Sequence, residues 1–182
     1  MNIAKKYLKY VDLLKDYNSH INIYSANAYE KLGFHIQDSV NIASILPRET
    51  QHVLDFGSGA GLPAVMIASE KPDINVVAIE SKEKKRKFIE LTKSEYQLSN
   101  LTIFQGDIDF YLKNNTSYID FITAKAFSSY ENVRAYLRRH RIKYGSIIIP
   151  ISLKQLETVY RKYHKNCLEI SLQSQTFYYL IK

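Results

Sequence analysis

Val53-Leu54-Asp55-Phe56-Gly57-Ser58-Gly59-Ala60-Gly61-Leu62-Pro63 decides the fold of this chain. It starts as a short apolar run and ends in three glycines at alternate positions, followed by leucine and proline. Glycine has no Cβ, so the backbone there turns sharply and lies close to a ligand. Proline suits the first helical position, where its missing N–H leaves nothing unsatisfied. The stretch predicts a strand, a tight turn and a helix N-terminus. Together these make a cradle for a nucleotide-like ligand.

The glycine spacing narrows the ligand. A dinucleotide fingerprint reads G-x-G-x-x-G. Here Gly57, Gly59 and Gly61 read G-x-G-x-G, with Asp55 two residues ahead of the first. This variant resembles the first motif of S-adenosylmethionine-dependent methyltransferases with a Rossmann-like fold. That cofactor has no pyrophosphate for a loop to wrap. Its sulfonium and ammonium charges suit an acid at the strand end. Taken alone, the motif also reads as an ordinary glycine-rich turn. Asn75–Glu80 adds an independent signal, a second apolar strand ending in an acid. Glu80 falls about 20 residues past the glycines, where a ribose-binding acid belongs. The expected cofactor contacts are Asp55, Gly57, Ser58, Gly59, Gly61, Leu62, Glu80 and Ser81.

Composition bounds the rest. The chain has 182 residues, enough for one domain or one domain with a small helical extension. Hydrophobic residues make up 46%, which suffices for a sizeable core. The single cysteine, Cys167, excludes a disulfide or cysteine-based metal framework. The start Met1-Asn2-Ile3-Ala4-Lys5 lacks the apolar core of a signal peptide, and no apolar run is long enough to span a membrane. The expectation is a cytoplasmic monomer with no metal and no membrane partner. Lys and Arg total 25 against 18 acids, a net charge of +7. That balance suits an anionic partner such as nucleic acid.

Periodicity predicts an amphipathic helix over Ile3 to Tyr17, with Ile3, Tyr7, Leu8, Val11 and Leu14 on one face, stopped by Asn18-Ser19. A second helix is predicted over Tyr29 to Leu46, ended by Pro47, with Gly33 near its start. Residues 1–50 form an N-terminal helical extension and 51–182 the main domain. From His52 onward strands and helices alternate. Strands are predicted at Val53–Phe56, Asn75–Ile79, Leu101–Phe104, Ile119–Thr123 and Ser146–Ile149. The helices between and after them are Leu62–Lys71, Glu83–Gln97, Ile108–Lys113, Tyr130–Arg141 and Leu153–His164. Leu168–Leu172 and Phe177–Ile181 close the chain as an antiparallel hairpin linked by Gln173-Ser174-Gln175. The predicted class is α/β, a mostly parallel seven-stranded sheet covered on both faces. Gly106-Asp107-Ile108 follows the third strand. In the methyltransferase arrangement that loop meets the adenine; the alternative is that Asp107 caps the next helix.

A narrower resemblance rests on three motifs. They are His35-Ile36-Gln37-Asp38-Ser39, the Asp55–Pro63 stretch, and Lys125-Ala126-Phe127-Ser128-Ser129. Together they resemble the glucose-inhibited division protein B family, guanine-N7 methyltransferases of bacterial 16S ribosomal RNA. Tyr17-Asn18 and Asn22-Ile23-Tyr24-Ser25 also resemble that family's N-terminal region. The resemblance implies a partner in ribosomal RNA or the small ribosomal subunit. It makes Lys125, His35 and Lys84 the candidates for positioning the substrate, with Lys125 also near the cofactor. It implies no general base, because guanine N7 carries a lone pair and no proton.

The departures concern cations. The family usually has Arg where this chain has Lys125, which keeps the charge and loses the bidentate fork. Other basic positions of the family fall here on Asp107, on Ile151 within Pro150-Ile151-Ser152, and on Gln175 or Thr176. Lys154 is placed to substitute by reaching back. Lys82, Lys84, Lys85, Arg86 and Lys87 form one basic run, Arg134 to Lys143 a second, and Arg161 to Lys165 a third. Each is either an RNA contact or a solvated helix face. Asp38 reads either as part of its motif or as a surface acid, and His35 either as a pocket residue or as a packed helix histidine. Three other functions stay open: a dinucleotide-dependent oxidoreductase, a non-catalytic RNA-binding homologue, and a methyltransferase of a different RNA or a small molecule.

Overall fold

The computed structural model describes residues 5–172 and 175–182. Seven strands among them form one sheet: β1 (His52–Phe56), β2 (Asn75–Glu80), β3 (Leu101–Gln105), β4 (Ile119–Thr123), β5 (Tyr144–Ile151), β6 (Cys167–Leu172) and β7 (Gln175–Ile181). Their order across the sheet is β3-β2-β1-β4-β5-β7-β6. The first five run parallel; β7 pairs antiparallel with β5 and with β6. The predicted parallel sheet with a terminal antiparallel hairpin is therefore observed. Gln173 and Ser174 of its link lie outside the described residues.

The strands form where short apolar runs are buried on both faces, as the fully buried tail of β1 shows. β5 is longer than expected and runs through Pro150. The reason is positional. Its pairing with β4 ends at Thr123↔Ile148, so beyond that point only β7 flanks it. A proline in a half-flanked segment removes no ladder bond on the open side.

The helices are α1 (Leu8–His20), α2 (Leu32–Ile45), α3 (Ala64–Glu70), α4 (Glu83–Tyr96), α5 (Ile108–Lys113), α6 (Tyr130–Arg139) and α7 (Leu153–Tyr163). Three starts differ from the sequence reading. A 3-10 turn over Lys5–Tyr7 precedes α1, and Ile3 lies outside the described residues. A 3-10 segment over Ala26–Lys31 replaces the expected first turn of α2. After β1, Pro63 is the cap of α3 rather than its first residue, because Leu62 and Pro63 are spent completing the turn. Among the described residues, no helix is long and apolar enough to cross a membrane.

The sheet separates two apolar cores. Tyr10, Leu14, Ile36, Ile42, Met66 and Phe88 from α1 to α4 pack on one face with Val53, Val76 and Ala78. Ile108, Leu112, Val133 and Leu137 from α5 and α6 pack on the other with Leu54, Phe56 and Ile122. The N-terminal helices thus share a core with the sheet. Leu14 of α1 is fully buried there. Leu14→Ala should lower unfolding free energy by about 2–5 kcal/mol, the range for a buried leucine that leaves a cavity. Urea denaturation followed by circular dichroism and by tyrosine fluorescence should show one coincident transition, shifted as a whole. Two separated transitions would mean that α1 and α2 fold apart from the sheet.

Candidate functional site

The chain lays β1, β2 and β3 outward in one direction, then returns across the sheet to β4. The order reverses between β1 and β4, and a crevice opens there beyond their carboxyl ends. The glycine loop leaves β1 at that point. Gly57, Gly59 and Gly61 all have positive φ, at 68°, 59° and 86°. Their reasons differ. A Cβ on Gly57 would lie 2.6 Å from the Phe127 ring, and one on Gly61 2.5 Å from Val65 Cγ2. Those two glycines answer to the protein's own packing. A Cβ on Gly59 would meet only the Gly57 carbonyl at 3.9 Å, so its open side faces the crevice.

Two buried acids hold this loop. Glu80, at the end of β2, is 6% exposed. Its Oε2 accepts from Gly59 N–H and its Oε1 from Lys82 N–H, both at 2.9 Å. A carboxylate oxygen has two lone pairs, so each retains one for a ligand hydroxyl. Asp55 is fully buried. Its Oδ1 accepts from Thr123 Oγ1 at 2.7 Å, while Oδ2 has no hydrogen-bond partner. Burial pushes its carboxyl up to about 6, against the opposing pull of its hydrogen bonds and of Lys125. An orphaned buried carboxylate oxygen under a glycine cradle fits a cationic ligand.

Ser58 N–H donates to Ile79 O at 3.0 Å, tying β1's loop to β2. Ser81 is exposed and contributes its carbonyl to Arg86 Nη1 at 2.5 Å. Arg86 also donates to Glu80 O at 3.2 Å and is 7% exposed. It therefore leaves the basic run expected to face RNA and braces the β2–α4 loop instead. The pairing Glu80↔Gln105 brings Gly106 beside Glu80. Asp107 caps α5, its Oδ1 accepting from Phe110 N–H at 2.7 Å, so the capping alternative is the one observed. Ile108 packs into the core.

A cavity of about 300 Å³ opens beside the loop. Gly57, Ser58, Gly59, Ala60 and Leu62 line one side; His35, Lys125 and Ala126 line another. Lys85 closes it from α4. Lys84 does not line it: its carbonyl accepts from Tyr17 Oη and its side chain is exposed. Tyr24, Ser25 and Ala28 line it too, and periodicity gives no hint of them. Asn18 places that segment, its Oδ1 accepting from Ile23 and Tyr24 N–H and its Nδ2 donating to Tyr24 O.

Lys125 follows β4 and is nearly buried, as is Asp38 of α2. Lys125 Nζ lies 2.6 Å from Asp38 Oδ2 and donates to His35 O at 2.9 Å. Asp38 is thus no surface acid. Lys125 is not a free cation in the cavity but one member of a buried pair. Burial holds the half-buried His35 below the ordinary imidazole range, and Lys125 adds to that. Across the three basic runs, Lys87 pairs with Glu83, Arg139 with Asp109, Arg161 with Glu157 and Lys162 with Glu131. Lys154 is exposed on α7 and lines neither this cavity nor its neighbour, whereas Ile151 and Thr176 line the neighbour. Among the described residues, no group of three or more His, Cys, Asp or Glu is placed to hold a metal ion.

Seven strands in this order, with a glycine loop and a terminal acid at the switch point, define a Rossmann-like protein of the methyltransferase type. The likeness to solved structures agrees on the fold. The ribosomal protein L11 methylase from Lactobacillus delbrueckii subsp. bulgaricus superposes with TM-score 0.59 at 14% identity, covering 82% of this chain and 78% of that one. The C-terminal domain of precorrin-6Y C5,15-methyltransferase from Rhodobacter capsulatus also gives 0.59 at 14% identity, covering 80% and 86%. The profile of the GidB family, described as rRNA small subunit methyltransferase G, matches residues 3–179. The chain belongs to this family. Ribosomal RNA small subunit methyltransferase G of Fusobacterium nucleatum is 31% identical over 137 residues, 74% of this chain and 59% of that protein. Its namesake in Nitrosococcus oceani is 34% identical over 126 residues, 69% of this chain and 57% of that protein. The matched region thus spans less than two thirds of these relatives' length.

Two predictions follow the geometry of the loop. Gly61→Ala adds a Cβ clash to left-handed strain, so it should destabilise the fold by about 2–5 kcal/mol. Gly59→Ala adds only the strain of about 1–2 kcal/mol. Thermal melts compare them, and equal losses would remove the distinction between the two glycines. The raised Asp55 value gives the second. The folded state holds that proton to higher pH than the unfolded chain does. Asp55's contribution to stability is therefore greatest below about pH 4 and falls as pH rises through about 6, by about 3 kcal/mol in all. Asp55→Asn should be flat in that window. The check is the wild-type minus variant difference in urea midpoint between about pH 4 and 7.

Proposed function

We propose that the protein is an S-adenosylmethionine-dependent methyltransferase acting on guanine N7 of 16S ribosomal RNA. One observation carries the reading. In a chain of this family, the open side of Gly59 and the buried Glu80 converge at the switch point, beside a cavity walled by His35 and Lys125. Glu80 would take the ribose hydroxyls on its two remaining lone pairs. The Gly57–Gly61 loop would follow the cofactor at backbone distance. Asp55 would set a negative charge beneath it, and the Gly106–Ile108 loop would border the adenine. Bound, the cofactor supplies an electrophilic methyl on a sulfonium.

The chain's own work is positioning. Guanine N7 needs no proton removed, and holding reactants at attack distance supplies on the order of 7–11 kcal/mol in favourable cases. His35 stays neutral at pH 7, so it adds no charge beside the methyl. Lys125 would address the acceptor base, and Lys85, which lines the cavity, would meet the RNA backbone together with the exposed Lys84. We read residues 1–50 as an extension that shapes the acceptor side, and the protein as a cytoplasmic monomer on the small ribosomal subunit or its RNA. A non-catalytic RNA-binding reading is favoured by Asp107, an acid that caps its own helix, and by uncharged Ile151 and Thr176.

The test is labelled methyl transfer from S-adenosylmethionine to isolated small subunits and to naked RNA. Transfer that stops on RNA carrying 7-deazaguanine at the target is expected. No transfer despite cofactor binding would favour the non-catalytic reading. Glu80→Ala loses charge-assisted hydrogen bonds worth about 1.5–3 kcal/mol each, so calorimetry should show at least about tenfold weaker cofactor binding. Unchanged affinity would remove Glu80 from the site.

A further inference from the structure

A second cavity, of about 590 Å³, adjoins the first at Lys125. His35, Lys125 and Ala126 line both cavities, so the two meet at these residues. Phe34 and Phe177 line the second, stacked at 4.6 Å between ring centres and 18° between planes. Lys125 is held from behind. Asp38 Oδ2 pairs with Lys125 Nζ at 2.6 Å, and Asp38 Oδ1 accepts from Tyr179 Oη at 2.9 Å. Asp38 and Tyr179 are 4% and 0% exposed.

Stability alone does not account for such a pair. Taking two charges out of water costs about what their attraction returns, and apolar residues of similar volume often serve as well. The pair does something an apolar pair does not. An ammonium has three N–H donors. Two of Lys125's are engaged, by Asp38 and by the His35 carbonyl, which fixes the nitrogen where the cavities meet. One remains to a ligand. Guanine presents O6 as an acceptor next to N7, where adenine presents an amine donor. A donor on O6 leaves the N7 lone pair free. An ammonium donor at this junction would favour the O6 of guanine over the amine of adenine.

We propose that the second cavity takes the acceptor base, and that Asp38, with Tyr179, is the positioning residue that keeps Lys125 a fixed, charged donor to it. The inference rests on the methyl-transfer reading above. Asp38 acts through Lys125 and touches neither cofactor nor reacting atom. Its effect has a sign. Burial lowers the Lys125 ammonium and Asp38 raises it back. Without Asp38, Lys125 loses its proton at lower pH, and with it the donor. The other groups facing Lys125 are His35, Asp55, Lys85, Tyr178 and Tyr179. Burial raises Asp55 to about 6 and lowers His35, both on the acid side of the window tested below, and Tyr179 is pushed up by burial and by Asp38.

The experiment is a pH series of labelled methyl transfer to small-subunit RNA, from about pH 7 to about pH 9, at saturating cofactor. Wild type should hold its rate to higher pH than Asp38→Asn does, because Asp38 raises the Lys125 ammonium. Asp38→Asn should keep its cofactor affinity by calorimetry and lose kcat/KM toward alkaline pH, by about tenfold per unit above the new pKa. Asp38→Asn combined with Lys125→Arg should be flat, because a guanidinium keeps its proton throughout. Tyr179→Phe keeps the ion pair and should raise the RNA KM without moving cofactor affinity, which serves if Asp38→Asn does not fold. An active wild type with a flat Asp38→Asn profile, or an alkaline loss that Lys125→Arg does not restore, overturns the role of Asp38. An unchanged RNA KM in Tyr179→Phe does the same. A wild type that binds cofactor and transfers no methyl overturns the enzymatic reading itself, and this inference with it.

Discussion

Parallel pairing on both sides of β1 is the constraint on which the site depends. β1 lies between β2 and β4, in registers that run Val53↔Val76 and Val53↔Phe121. Parallel neighbours point their carboxyl ends the same way, so the loops after all three strands meet on one edge. The glycine loop, Glu80 and Lys125 come from those three loops. Sequence separates them by dozens of residues, and the sheet brings them to a single crevice. The long return from β3 to β4 leaves that crevice uncovered by a crossover helix.

Charge is then placed where the fold makes it costly. Asp55 and Glu80 are buried at strand ends, and Lys125 and Asp38 are buried as a pair. Their hydrogen bonds offset part of that cost. Glu80 is the better satisfied, with a backbone donor on each oxygen, and Asp55 the worse, with one oxygen unpartnered. Imperfectly satisfied buried charge concentrates at working sites, and here it surrounds a single cavity system. The N-terminal helices belong to that system. α2 supplies Asp38 and His35 while its apolar face, through Ile36 and Ile42, fills the common core.

Much of the site was legible in advance because its signals are local. Three alternate glycines after an apolar run admit few backbones other than a tight turn, and all three take positive φ. Only coordinates separate their reasons, since Phe127 and Val65 crowd two of them and nothing crowds the third. The basic runs were less legible. Charge spacing along a helix does not say which residue turns inward, and Arg86 does so to reach two carbonyls at the end of β2. Lys84 and Lys85 differ by one position, about 100° around a helix, and only the second reaches the cavity.

The alternation of apolar runs with helical periods, and the glycine turn, determined the α/β class, the parallel sheet and the cofactor-type cradle. These follow from periodicity and backbone sterics, which act within a few residues. The fate of Asp38 and Lys125 did not follow. Each is a charged residue in a motif, equally at home in solvent, and they are 87 positions apart in sequence. Packing α2 against the strand ends removed water from both at once, and a buried charge requires a partner. That encounter, with Tyr179 arriving from the last strand, belongs to the tertiary structure alone.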